Sequence, residues 1–344
     1  MTVQSTVFVS GGTGYIASHI IDQLLKENYK VISTARTQEK ADKVLANFKN
    51  ENLSFELVSD IADLQAFDHV FAKHGKDIEY VLHTASPVTF NVKDYEKDIM
   101  IPAVNGTKSI LESIKKYAAD NVKRVVLTSS FAAQIHTAKA GDPSITVNED
   151  SWNDSNWEDG YTDPMSAYFV SKKVAETTAW AFLKENRDAV KFQLSTIMPG
   201  FVFGPQATLE KGTTTLNLSA DMVNQVVRFK KGDKLPDFMC APFIDVRDVA
   251  RSHILAFQKE ELAGQRLQLQ NTMFSTPLII KSVTEQFPEL KENFPEIDAN
   301  AHDELVAHTC KIDSSKTKKL LGFPFIDFDT SIRDAAQQIL DVSK

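Results

Sequence analysis

Thr6-Val7-Phe8-Val9-Ser10-Gly11-Gly12-Thr13-Gly14-Tyr15-Ile16-Ala17 is the stretch on which the fold turns. Five β-favouring residues run into three glycines within four positions, and a helical pattern follows over 15–27 with Ile16, Ile20, Leu24 and Leu25 on one side. A glycine turn alone also serves hairpins and ordinary connections. The order strand, turn, helix suits a dinucleotide pyrophosphate, because a helix N-terminus offers free N–H groups and a positive dipole end. In that reading Gly11 makes the tight turn and Gly14 lets the backbone approach the ligand. Thr13, Tyr15 and Ile16 line it, and small Ala17 lets the helix lie close to the sheet.

Outward from this unit, strand and helix patterns alternate. Strands are read at 30–34, 53–58, 80–84, 124–129 and 191–198. A long amphipathic helix carries Val104, Ile110, Leu111 and Ile114, and another spans 167–186. Such alternation predicts right-handed βαβ units and a Rossmann-type, doubly wound parallel sheet in the α/β class. The second strand ends Ser33-Thr34-Ala35-Arg36, with no acid in the place where NAD readers hold the ribose hydroxyl. Arg36 can clamp a 2′-phosphate with two hydrogen bonds, and Lys40 can add charge, which points to NADP(H). A solvated basic loop is the plainer alternative, since Glu39 and Asp42 are near. Asp60, with Ile61 beside it, is a candidate for the adenine end, although strand-end aspartates often cap the next helix.

Tyr168-Phe169-Val170-Ser171-Lys172 places a phenol and an ammonium four residues apart, on one face of the 167–186 helix. It is the one Tyr-x-x-x-Lys in a chain with seven tyrosines. The preceding strand ends Thr128-Ser129-Ser130, so hydroxyl, phenol and ammonium can converge at the carboxyl edge of the sheet. Carbonyl reduction needs a hydride on carbon and a proton on oxygen. Tyrosine, with a free pKa of about 10, is a weak acid for that task, and a neighbouring ammonium is expected to lower it. A serine hydroxyl can hold the oxygen. The residues leave Ser129 and Ser130 as equal candidates.

At 344 residues, with 42% hydrophobic and 24% charged residues, the composition is that of a globular chain with a large core. The net charge of −8 argues against a nucleic-acid surface. Two cysteines, Cys240 and Cys310, provide no disulfide framework and no metal spacing, and a reducing cytoplasm is the expected compartment. No basic leader or apolar span begins the chain, so no membrane is expected. Four Asn-x-Ser/Thr sequons, at Asn52, Asn105, Asn153 and Asn217, read as chance matches.

The chain resembles the extended short-chain dehydrogenase/reductases, in particular the dihydroflavonol-reductase-like branch and its fungal NADPH-dependent methylglyoxal reductases and yeast ketoreductases. The resemblance runs nearly end to end. It is carried by Val7-Phe8-Val9-Ser10-Gly11, Gly75-Lys76-Asp77-Ile78, Leu82-His83-Thr84-Ala85-Ser86-Pro87 and Ile101-Pro102-Ala103-Val104-Asn105-Gly106. Arg124-Val125-Val126-Leu127-Thr128-Ser129-Ser130, Val202-Phe203-Gly204-Pro205 and Ile244-Asp245-Val246-Arg247-Asp248-Val249-Ala250 complete it. It implies Ser130 as the catalytic serine, with Tyr168 and Lys172. It also implies that Ala85, Ser86 and Thr128 line the cofactor and that Pro199 and Val202 flank the nicotinamide. Asn105 is either a proton-relay support or a helix-packing residue, and Asp245 and Asp248 belong to a fold-stabilising motif. The run Ser166-Ala167-Tyr168-Phe169-Val170 departs from the Asn-Trp-Tyr-Cys-Tyr of cinnamoyl-CoA reductases, which removes support for that substrate class. Substrate range is where the resemblance is weakest, because 200–238 matches less well.

The division expected is 1–199, mainly an NADP-binding Rossmann domain with the catalytic residues, and 200–344, mainly a smaller, interleaved C-terminal α/β substrate lobe with segments returning to the first. In the second part a helix is read near Asp245, a strand at 266–269, and helices at 275–286 and 329–342. Phe90, Phe131, Phe201 and Phe238 follow motif segments and are candidate walls of an apolar pocket, in a chain where most phenylalanines serve the core. Trp152 and Trp157 either anchor their loop or form a lid. The eight histidines show no ligand spacing, and no metal is expected. The expected activity is NADPH-dependent reduction of small aldehydes, methylglyoxal-type α-dicarbonyls and prochiral or aryl ketones by a monomer or homodimer. The alternatives are an NAD-dependent nucleotide-sugar epimerase or dehydratase and a non-catalytic NADP sensor.

Overall fold

Every residue of β1 (Thr6–Ser10) is buried, and its alternation builds two cores at once. Val7 and Val9 pack into one apolar cluster, Phe8 into another. The computed structural model describes residues 5–86, 92–209, 213 and 216–343. In it β1 pairs in parallel with β2 (Lys30–Ala35) on one side and β4 (Ile78–His83) on the other. β3 (Leu53–Leu57) lies beyond β2; β5 (Arg124–Thr128), β7 (Gln193–Pro199) and β10 (Arg266–Leu269) follow β4, giving the order β10-β7-β5-β4-β1-β2-β3, parallel throughout. The order reverses between β1 and β4, the switch point at which open α/β sheets bind ligands.

Helices α1 (Tyr15–Lys26) and α7 (Val246–Gln258) cover the Val7 face through Ile20, Leu24, Val249 and Ile254. The Phe8 face is covered by α3 (Asp68–His74), α4 (Ile101–Tyr117) and α5 (Pro164–Glu185), with Phe71, Ile110, Ile114 and Phe182 inward. The doubly wound expectation is met, and the long elements fall within a few residues of their expected ends. Helix α2 (Gln38–Phe48) was not anticipated. Only Ala41 is fully buried, although Val44, Leu45 and Phe48, at helical spacing from it, pack partly buried on the Val7 core.

Beyond residue 200 a three-stranded sheet forms. β8 (Phe201–Phe203) runs parallel to β9 (Cys240–Asp245), which pairs antiparallel with β11 (Thr272–Ser275). Helices α6 (Leu218–Val227), α8 (Thr276–Gln286) and α11 (Phe328–Ser343) close a third core around Phe203, Phe243 and Phe274. Shorter pieces, α9 (Ala301–Ala307), β12 (Lys311–Ile312) and α10 (Ser315–Leu321), lie between α8 and α11 in the chain. β12 pairs with β6 (Thr146–Val147). Two segments after residue 200, α7 and β10, return to the large sheet. Among the described residues no helix is long and apolar enough to cross a membrane.

Candidate active site

The glycine turn leaves β1 with Gly11 at φ +71°, a left-handed value that favours glycine. Its N–H is held by Thr34 Oγ1 at 2.9 Å, and the Gly12 N–H by the Thr34 carbonyl at 2.9 Å. Gly14 is the N-cap of α1 and supplies no side chain to cap it, so the first amides of the helix face outward unclaimed by a cap. This suits the phosphates of a dinucleotide. Gly12, which the sequence reading passed over, has the tightest packing: a Cβ there would lie 2.0 Å from Ser33 Oγ.

The carboxyl ends of β4, β5 and β7 and the first turns of α5 meet this turn around one cavity of about 380 Å³. Tyr168 Oη lies 3.4 Å from Ser130 Oγ, and Lys172 Nζ lies 5.6 Å from the centre of the Tyr168 ring. Asp163 caps α5 by accepting from the Met165 and Ser166 amides, which sets the register of the Tyr168 face. Ser129 and Ser130 now separate. Ser129 Oγ donates to Glu176 Oε2 at 2.6 Å, inside a buried network, while Ser130 Oγ stands beside the phenol.

Burial pushes the Tyr168 phenol above its usual range, with the Ser130 hydrogen bond opposing. Lys172 is expected to lower it; in the structure its Nζ lies 5.6 Å from the ring centre, and burial, the largest influence on the phenol, favours the protonated form that a proton donor requires. Burial also pushes Lys172 itself down to about 8.

Of the remaining candidates, Gly11, Gly14, Tyr15, Ile16, Ser86, Thr128, Phe131, Pro199, Phe201 and Val202 all line the cavity. Tyr15 carries a second duty, since its hydroxyl donates to the Gly204 carbonyl at 2.6 Å. Thr13 is exposed on the turn, and Ala85 touches Gly11. Arg36 and Lys40 are exposed just past β2, and neither makes an ion pair among the described residues. Asp60 accepts from the Ala62 amide at 2.8 Å, and Ile61 packs against Gly106 on α4. None of these four lines the cavity. Phe90 falls outside the described residues. Phe238 does not join the pocket: it is 43% exposed, in an irregular run ahead of β9.

Asn105 donates to the Ala62 carbonyl at 3.0 Å, which ties the 60–62 turn to α4 and gives it a packing role. Trp152 and Trp157 are anchors. Trp152 stacks 3.6 Å from the Arg266 guanidinium, and Trp157 Nε1 donates to Glu96 at 2.8 Å. Sequence reading missed Met165, Phe169, Asn217, Leu218 and Ser219 among the cavity walls. Phe169 could have been found beside Tyr168. The start of α6 could not, because nothing local says which sheet edge it covers.

Known proteins share this arrangement. The sequence profile described as "NAD dependent epimerase/dehydratase family" matches residues 7–269. The NADPH-dependent methylglyoxal reductase GRE2 of Saccharomyces cerevisiae is 51% identical over 339 residues, covering 97% of this chain and 98% of that protein. The putative NADPH-dependent methylglyoxal reductase GRP2 of Candida albicans is 43% identical over 345 residues, 99% of this chain and 100% of that one. The crystal structure of yeast methylglyoxal/isovaleraldehyde reductase Gre2 complexed with NADPH is similar at a TM-score of 0.94 and 50% identity, covering 98% of each chain. The matched span runs from the glycine turn through the Tyr168 helix to the returning strand β10 and includes the residues that line the cavity, and the chain belongs to the NAD dependent epimerase/dehydratase family.

Proposed function

We propose that this protein is an NADPH-dependent carbonyl reductase that converts aldehydes and ketones to alcohols, with Tyr168 as proton donor. The observation that carries the reading is the Tyr168 phenol, 3.4 Å from Ser130 Oγ, on a cavity that begins at an uncapped glycine turn. When bound, the dinucleotide supplies the hydride to the carbonyl carbon. Ser130 Oγ donates a hydrogen bond to the substrate oxygen and places it within reach of Tyr168. The phenol then gives its proton to that oxygen as charge develops there. Lys172 keeps a positive charge beside the resulting phenolate.

The turn from Gly11 to Ile16 would hold the pyrophosphate, with Ala85, Ser86 and Thr128 along the nicotinamide half and Pro199 and Val202 flanking the ring. Asp60 and Ile61 would lie at the adenine end. Arg36, which no carboxylate among the described residues neutralises, and Lys40 would take the 2′-phosphate. Phe131 and Phe201, joined by Met165, Phe169 and Leu218, give the cavity apolar walls for small aldehydes, α-dicarbonyls and aryl ketones. On this reading residues 1–199 are mainly the cofactor domain and 200–344 mainly the substrate lobe, in a cytoplasmic monomer or homodimer.

The test is oxidation of NADPH and NADH in parallel against methylglyoxal, isovaleraldehyde, a diketone and an aryl ketone. Turnover with NADPH far above NADH is the expected result. No turnover with either cofactor across the panel would overturn the reading, and tightly held NAD in the purified protein would favour a nucleotide-sugar epimerase.

A further inference from the structure

His83 ends β4 beneath the active site, and its ring is 2% exposed. Its Nδ1 lies 2.9 Å from Ser10 Oγ. The same oxygen accepts the Thr84 and Ala85 amides, each at 3.0 Å. Two N–H donors take up both lone pairs of the hydroxyl, so its one proton must go to His83 Nδ1. A neutral imidazole accepting at Nδ1 carries its own proton on Nε2. The β1–β4 switch point thus sets the tautomer of His83.

The Nε2–H has no partner among the described residues. His83 lines a second, small cavity of about 10 Å³, behind the active site, which Lys172, Thr107, Ser129 and Glu176 also line. Lys172 is buried too, and its Nζ has no hydrogen-bond partner among the described residues. Two donors of buried residues therefore border one small space, walled also by Ala85, Ala103, Leu127 and Ala175, whose volume is near the ~10–15 Å³ that a single water needs. An acceptor for one of the water's protons is at hand in Thr107 Oγ1, which donates to Ala103 and keeps its lone pairs, whereas the Glu176 carboxylate is taken up by Arg266, Thr196, Trp180 and Ser129.

We propose that His83, fixed by Ser10 as an Nε2–H donor, is a positioning residue for Lys172, acting through one water bound in this cavity. The water accepts from both donors and gives Lys172 Nζ an inner hydration partner on the side away from the active-site cavity, so the ammonium stays charged and pointed at the Tyr168 ring although the side chain is largely buried. The charged and titratable groups around Lys172 are Tyr168 and Glu176 on its own helix and His83 on β4. Arg266 neutralises Glu176 from β10, and neutral His253 of α7 lies behind Thr128, 2.7 Å from its hydroxyl. None of the others places a donor on this cavity in the manner of His83.

The inference rests on the carbonyl-reductase reading, and its test keeps the two apart. In the wild-type protein, ¹⁵N NMR of His83 should show the neutral Nε2–H tautomer, and a high-resolution crystal structure should show one water between His83 and Lys172. Both hold or fail whatever the substrate is. In kinetics, His83→Phe should shift the alkaline limb of the kcat profile down by about one unit and lower kcat about tenfold at high pH, with KM for NADPH little changed. His83→Gln, which can accept from Ser10 and donate into the cavity, should restore the profile. An Nδ1–H tautomer, a dry cavity, or a folded His83→Phe protein with an unmoved alkaline limb would each overturn the proposal. If His83→Phe does not fold, the wild-type tautomer and the water decide it.

Discussion

Tyr168 and Lys172 make opposite demands on their shared burial. In the proposed mechanism the phenol must stay protonated until the substrate oxygen needs a proton, and burial favours that form. The ammonium must stay charged, and burial disfavours it, pushing it from 10.5 to about 8. Turnover should therefore fall as pH rises through about 8, which a kcat profile from pH 6 to 10 would read. Stability follows the reverse course. Between about 8 and 10.5 the unfolded chain keeps a proton that the folded chain has released, so stability rises with pH across that window, and below it the cost of the buried charge is fully present. Lys172→Met should thus be inactive yet more stable at pH 7, by at most an order of 3 kcal/mol, measurable by urea unfolding. Tyr168→Phe removes only the proton donor. It should lose about 10²–10⁴ in kcat with NADPH affinity kept, and a fluorescence titration beside the kinetics would separate the two.

The elements that carry the site are held by contacts of much longer sequence range than its motifs. Glu176, one turn beyond Lys172 on α5, is fully buried and receives Arg266 Nε at 2.7 Å, Thr196 Oγ1 at 2.8 Å and Ser129 Oγ at 2.6 Å. One carboxylate thus ties α5 to β5, β7 and β10. Arg266→Met should leave it buried and unpaired and lower unfolding free energy by about 3–5 kcal/mol in a denaturant titration. At the other end of the site, Gly12→Ala would drive a methyl into Ser33 and toward Ile21, forcing α1 off β2. A loss of about 1–3 kcal/mol with weakened nucleotide binding is expected. Neither network was legible in advance. Glu176 and Arg266 are 90 residues apart, and Gly12 reads as the plainest member of a glycine turn until it is seen packed between Ser33 of β2 and Ile21 of α1.

For the whole molecule, cofactor binding and folding are coupled. A ligand that binds only the native state at about 100 times its Kd adds about 2.7 kcal/mol, so NADPH should raise the melting temperature clearly more than NADH at equal concentration. Arg36→Ala should erase most of that difference, and an equal loss for both cofactors would remove Arg36 as the phosphate reader. What could be read before any coordinates were those features whose signal is local. A β-rich run entering a glycine turn marked β1 and α1, a spacing of four marked Tyr168 with Lys172, and the missing acid after Ala35 marked the end of β2 as the proposed phosphate reader. Each depends on residues within one turn or one strand, where backbone geometry alone sets the neighbours. The remainder depended on chain segments meeting across the fold. Ser129 parted from Ser130 because Glu176 reaches only one of them. Phe238 left the pocket and Leu218 entered it, since α6 is placed by packing of Val223, Val226 and Val227 around Phe203 and Phe243. His83 acquired a fixed tautomer because β1 and β4 lie side by side. No residue's neighbours in sequence state which strand will run beside it, and that is the physical reason the catalytic motif was readable while its surroundings were not.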